Sequence, residues 1–211
     1  MTATPGPRGG AGRVRYVALG DSYTIGTSVT AAESWPSQLV ERVPQLDLVG
    51  NIAVNGYTSD DMIKEEMPQL DRLRPELVTV LIGVNDVVQR VSDLQYAGNA
   101  AVILEELLTR LPPERIVGIA TPDYTLTPSG AAFGEPDQQS DAIIRFNAIL
   151  REACESRRIP FVPDVFEISR RVLDDPSLVA DDELHPSGSQ YALWADAIAP
   201  VVFELLRSPP L

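Results

Sequence analysis

The sequence predicts an α/β fold, a three-layer α/β/α sandwich built around a five-stranded parallel sheet. Three observations carry that expectation. Short, near-continuous apolar runs rich in Val, Ile and Leu alternate with longer segments of helical period, the pattern of parallel strands buried on both faces and joined by crossover helices. Three of the runs are followed directly by Gly, Asn, Asp or Ser, the residues that turn a chain sharply at the end of a strand. No internal repeat or dividing linker interrupts the 211 residues. The reading is therefore one domain over 14–207 behind a flexible Pro/Gly leader at 1–13.

Strands are expected at 14–19, 46–54, 77–82, 115–120 and 159–165, each a near-continuous apolar run. Helices are expected at 34–43, 59–72, 93–111, 138–157 and 187–206. Ser92 and Gln95 form an S-x-x-Q capping box ahead of the third helix. In the fourth, Cys154 shares a face with Ile143, Phe146 or Asn147, and Leu150, so a buried thiol is expected. Pro200 predicts a kink or restart in the last helix, and Pro68 raises the same doubt in the second.

Composition narrows the function. The formal charge is −13, from 17 basic and 30 acidic residues, which argues against a nucleic-acid partner or an anionic membrane surface. A single cysteine rules out a disulfide within the chain and a Cys-rich zinc site. No window approaches the ~20 apolar residues of a membrane span, and the first residues lack the apolar core of a secretory signal. A cytoplasmic protein is expected. Asp60-Asp61, Asp174-Asp175 and Asp181-Asp182-Glu183 match no defined metal-site spacing, so no metal is expected. Nothing in the sequence fixes the oligomeric state.

In parallel sheets, ligands bind outside the carboxyl ends of the strands. There the sequence places Gly20-Asp21-Ser22, Asn55-Gly56, Gly83-Val84-Asn85-Asp86 and, beyond the last strand, Asp181-Asp182-Glu183-Leu184-His185. A serine hydroxyl becomes a nucleophile once a base removes its proton, and imidazole suits that task. His185 is the chain's only histidine, so any histidine-based mechanism must use it. Asp182 stands three residues before it, and Pro186 after it suits a helix entrance. A carboxylate at that spacing can fold back on the ring, fix its tautomer and stabilise the imidazolium. The plainer readings stand beside these: Gly-Asp-Ser as a common turn, Asn85 as a cap, Gly56 as a residue with positive φ. In the functional reading the Ser22 N–H, the Gly56 N–H and the Asn85 amide are three donors aimed at an oxyanion. Asp21 and Asp86 hold the backbone around them.

These blocks, taken in order, resemble the SGNH (GDSL-type) hydrolases. GDSYTIG at 20–26 is similar to the family's first block, with Tyr23 where GDSL has Leu. NIAVNGYTS at 51–59 resembles the second, GVND at 83–86 the third, and DELHPSGSQYALWA at 182–195 the last. The resemblance covers residues 14–206 and implies catalytic Ser22, Asp182 and His185, with Ser22, Gly56 and Asn85 as the oxyanion hole. It also implies a flavodoxin-like sandwich, no cofactor, and a small-molecule ester as substrate. AESWPSQLVERV at 32–43 resembles, more faintly, the lysophospholipase/thioesterase branch. Simple esters, thioesters, lysophospholipids and acetylated sugars all remain open. So do acyl transfer through the same acyl-enzyme and a non-catalytic binding module on the same fold. The long loop at 121–137 leaves the active edge of the sheet. Tyr124, Leu126 and Phe133, with Val87 and Val88, are expected to wall the acyl pocket.

Overall fold

The computed structural model describes residues 12–207, so 1–11 of the expected leader lie outside the described residues. Five parallel strands form one sheet in the order β2-β1-β3-β4-β5, the flavodoxin-like arrangement. They are β1 (Val14–Gly20), β2 (Leu46–Asn51), β3 (Leu77–Leu81), β4 (Ile116–Ile119) and β5 (Phe161–Val162). β1, β3 and β4 occupy the centre, and β3 and β4 are buried along their whole length. That burial accounts for their largely Val/Ile/Leu composition.

The two edges depart from expectation. β2 ends at Asn51 rather than 54, and most of it is only half-buried. As an edge strand it is covered less than its apolar sequence suggests. Its backbone still tracks β1 beyond that point, because Ile52 N donates to Ala18 O (3.1 Å) and Val54 N to Gly20 O (3.3 Å). β5 is two residues long instead of seven, since Pro160 and Pro163 flank it and have no N–H to extend a ladder. The rest of the expected strand is the start of a helix, Asp164–Ser169.

The helices are α1 (Ser22–Ile25), α2 (Trp35–Arg42), α3 (Ser59–Asp61), α4 (Leu70–Leu73), α5 (Val84–Val88), α6 (Asp93–Leu108), α7 (Pro136–Glu155), α8 (Asp164–Ser169) and α9 (Gly188–Arg207). α2 and α8 pack on α9, while α6 packs on α7 and the 59–66 segment. The helix expected at 59–72 is a composite. After α3 come a π turn (Met62–Glu66), a 3₁₀ turn around Pro68 (Met67–Gln69) and then α4. The extra residue of a π turn rotates the chain beyond it, and here Glu66 ends buried against β1. α9 runs unbroken through Pro200, so the expected restart is absent; the proline lies on the exposed face.

Half of the expected capping box forms at α6. Ser92 Oγ accepts from Gln95 N (3.2 Å), but the Gln95 side chain donates forward to Asn99 Oδ1 (2.9 Å) instead of back to the cap. Cys154 is buried with Ile143, Phe146 and Leu150, and burial pushes its thiol up to about 12. Asn147 leaves that face, accepting from Thr121 N at 2.8 Å. Gly118 is what admits the thiol, since a Cβ there would lie 2.6 Å from Cys154 Sγ. Among the described residues no helix is long and apolar enough to cross a membrane.

Candidate active site

The carboxyl ends of β1 and β3 bring the polar blocks together. Gly20 has φ +156, and a Cβ there would meet Thr24 Oγ1 at 2.4 Å and Leu81 O at 2.5 Å. Only glycine turns so sharply here. Asp21 then caps α1, its Oδ1 accepting from Tyr23 N at 3.0 Å. Ser22 is the first residue of that helix, where a backbone N–H has no partner within the helix. It is 7% exposed. Its Oγ makes no hydrogen bond among the described residues, including to His185.

The chain beyond β2 reaches Ser22 through a tight turn closed by Tyr57 N to Val54 O (3.2 Å). Gly56 occupies its third position with φ +82, where a type II turn needs positive φ. A Cβ at Gly56 would meet nothing within 4 Å, so the turn geometry requires the glycine and crowding does not. The Gly56 N–H has no partner among the described residues. After β3, Gly83 turns the chain into α5. Asn85 Nδ2 donates to Tyr57 O at 2.9 Å and lies 3.4 Å from Asp21 Oδ2. One amide proton is thus firmly held and the other only loosely.

His185 arrives from the far end of the chain. Its Nδ1 lies 2.6 Å from Asp182 Oδ2. Asp182 Oδ1 accepts from the backbone N–H of Leu184 (3.0 Å) and His185 (2.9 Å), and Oδ2 also accepts from Ser28 Oγ (2.5 Å). Partial burial works to raise the Asp182 carboxyl. The hydrogen bonds from Ser28, the His185 ring and the two backbone amides outweigh it and hold the group well below the usual carboxylate range. An ionised carboxylate only accepts, so Nδ1 carries a proton and donates it to Asp182 Oδ2. Sequence placed this pair at a helix entrance, but α9 begins only at Gly188. The pair sits instead in a loop pinned by a bridge between Val179 and Pro186, with Ala180 N donating to His185 O (2.8 Å). Glu183, with φ +63, makes the tight turn between the two residues.

Ser22, Gly56, Asn85 and His185 line one pocket of about 210 Å³. Tyr23, Asn55, Val84 and Leu184 contribute to it, as do Val88, Tyr124 and Phe133. Val87 points away into a neighbouring cleft of about 570 Å³ that also holds Arg90 and Arg145, and Leu126 lines neither. Tyr124 is fixed by a hydrogen bond to Gln139 on α7 and by edge-on packing against Phe133 (centroids 5.9 Å apart).

Behind the pocket lie three buried acids. Burial pushes Asp21 up to about 7, against the Tyr23 N–H and helped by the charge of Asp86. Burial likewise pushes Glu66 up to about 9, against its bond from Gly20 N at 2.9 Å. Asp86 is raised by burial and partly restored by Ser59, which donates from N (2.8 Å) and Oγ (2.5 Å). Glu66 and Ser28 had no signal in the sequence: one depends on a π turn, the other on a contact 154 residues away.

The GDSL-like lipase/acylhydrolase family model matches residues 18–193. The chain belongs to that family. Membership makes it a serine ester hydrolase. Among known proteins, the thioesterase 1/protease 1/lysophospholipase L1 of Escherichia coli (strain K12) is 24% identical over 181 residues, covering 86% of this chain and 79% of that protein. Among solved structures, LAE5, an alpha/beta hydrolase from the metagenome of Lake Arreo, superposes with TM-score 0.69 at 19% identity, covering 92% of this chain and 97% of the other. Axe2-W215I, an acetyl xylan esterase from Geobacillus stearothermophilus, gives a TM-score of 0.69 at 17% identity, covering 90% of this chain and 95% of the other. At those identities the two structures speak for the fold alone.

Proposed function

We propose that this GDSL hydrolase cleaves a carboxylic ester or thioester by a Ser22–His185–Asp182 triad with a covalent acyl-enzyme. The observation that carries the reading is the fixed Asp182–His185 pair, 2.6 Å apart, opening on a pocket shared with Ser22, whose hydroxyl has no hydrogen bond among the described residues. His185 Nε2 takes the proton as Ser22 Oγ attacks the carbonyl carbon, and Asp182 stabilises the imidazolium. The carbonyl oxygen becomes an oxyanion, received by the N–H groups of Ser22 and Gly56 and the loosely held proton of Asn85 Nδ2. His185 then protonates the leaving alkoxide or thiolate, which leaves the acyl group on Ser22. Water, deprotonated by His185, attacks that ester. The second tetrahedral intermediate collapses to the carboxylic acid and free Ser22.

Val88, Tyr124, Phe133 and Leu184 give the pocket an apolar wall beside the serine, which suits a short or medium acyl group. Simple esters and thioesters fit this chemistry equally. The expected setting is the cytoplasm, where the single cysteine stays reduced. A panel of chromogenic esters of increasing acyl length, with a thioester and an acetylated sugar, tests the substrate. Ser22→Ala and labelling by a serine-reactive phosphonate test the mechanism. Hydrolysis should vanish in Ser22→Ala while the protein stays folded, and the label should land on Ser22. Full activity in Ser22→Ala, with label elsewhere, overturns the reading.

A further inference from the structure

Asp182 Oδ2 receives two donors, the His185 ring at 2.6 Å and the Ser28 hydroxyl at 2.5 Å. Ser28 lies on the short segment 26–30 that leaves the nucleophile's helix. That segment hangs on Ser22 itself, with Gly26 N (3.2 Å) and Thr27 N (3.1 Å) both donating to Ser22 O. Thr27 Oγ1 donates to Asn55 in the oxyanion turn. The far end is held where Glu33 accepts from Thr30 N (2.9 Å) and Thr30 Oγ1 (2.7 Å). Between these anchors Ser28 adopts φ +67, a conformation that favours Gly, Asn and Asp and that serine rarely takes. Ser28 is exposed, so core packing does not explain it. Strained backbone of this kind collects where a functional contact needs it.

We propose that Ser28 is a positioning residue of the reaction: on the triad reading above, it locks Oδ2 of Asp182 against the His185 ring. It thereby ties the distance between acid and nucleophile to a strap anchored on Ser22. The low pKa of Asp182 agrees, since Ser28 donates to its charged form. No motif announces this residue. It enters through strain and one long-range bond.

Three substitutions separate positioning from mere support. Ser28→Gly relieves the positive φ and deletes the donor. Ser28→Asn suits the same φ and keeps a donor. Ser28→Asp suits it, has no donor and adds a like charge. His185 is the only histidine, so its Nδ1 proton gives one assignable NMR signal in the folded enzyme. Ser28→Gly should keep or raise Tm, lower kcat about tenfold, the scale of one hydrogen bond, with KM unchanged, and broaden the Nδ1 signal. Ser28→Asn should recover most of the rate and the sharp signal, and Ser28→Asp should fall furthest. A Ser28→Gly enzyme with wild-type kcat and an unchanged signal overturns the proposal. So does a loss that follows Tm and is not recovered in Ser28→Asn. Failure of the triad reading is visible separately, as hydrolysis surviving in Ser22→Ala, because the NMR signal reports the Ser28–Asp182–His185 chain whether or not Ser22 reacts.

Discussion

Of three successive acids, Asp181, Asp182 and Glu183, only Asp182 reaches His185 Nδ1. Position distinguishes it, since all three are acidic. Asp182→Asn should lower kcat by ~10³–10⁴, because an amide in that place leaves the wrong imidazole tautomer. Asp181→Asn and Glu183→Gln should change kcat little. Steady-state kinetics on one ester decides, and equal losses at all three positions would point to a diffuse negative field. Asn85 carries a second residue-scale expectation. With one amide proton held by Tyr57 O at 2.9 Å, its carbonyl cannot flip toward the oxyanion. Asn85→Ala should therefore cost ~10²–10³ in kcat with KM nearly unchanged, whereas an unaltered kcat reduces Asn85 to a turn residue.

The 121–137 loop is held as an element by the buried carboxylate of Asp123. It accepts from Thr125 N (3.2 Å) and Oγ1 (2.6 Å), from Ser140 Oγ (2.8 Å) and from Arg170 (2.7 Å). Asp123→Ala should cost about 3 kcal/mol in a denaturant melt, since Arg170 and the hydroxyls lose their shared acceptor. With the loop so fixed, its pocket-facing side chains are Tyr124 and Phe133, while Leu126 faces elsewhere. Phe133→Ala should reorder the preference among acyl lengths by ~1–3 kcal/mol, and Leu126→Ala should preserve it. A uniform fall in rate with the ranking kept would assign the loop to stability alone.

Across the whole molecule the ionisable groups set opposing pH limits. Asp182 is held below its ordinary value, so its stabilising contribution is present above the unfolded pKa of ~3.9 and is lost as pH falls further. Asp21 and Glu66 are raised to about 7 and about 9. Their folded forms retain protons that the unfolded chain releases near pH ~4, so stability falls as pH rises from there through the folded values. Among the described residues the buried Glu66 Oε1 has no hydrogen-bond partner, as suits a carboxyl that folds neutral. Tm should peak in mildly acidic buffer and decline toward pH ~9. Glu66→Gln, which keeps the acceptor for Gly20 N, should flatten the alkaline side. An identical slope in both proteins would show that Glu66 is ionised in the fold.

The sequence by itself determined the presence of the five strands, most of the long helices and the four polar blocks, because these depend on local signals: apolar runs, period and turn residues. β1, β3 and the GDSY turn were legible for that reason. So was the Asp182–His185 spacing, a matter of three residues of chain. Tertiary structure decided the rest. Whether a strand lies at an edge depends on its neighbours, and so β2 and β5 came out shorter than their apolar runs. The π turn that buries Glu66 against Gly20 balances strained helix geometry against a buried hydrogen bond, and no local propensity reports that balance. Val87 and Val88 are adjacent and chemically identical, yet α5 turns one toward the serine and the other away. Ser28 reads as an ordinary loop serine until folding brings it to 2.5 Å from a carboxylate 154 residues further along the chain. A contact at that separation is set by packing, which no window of sequence contains.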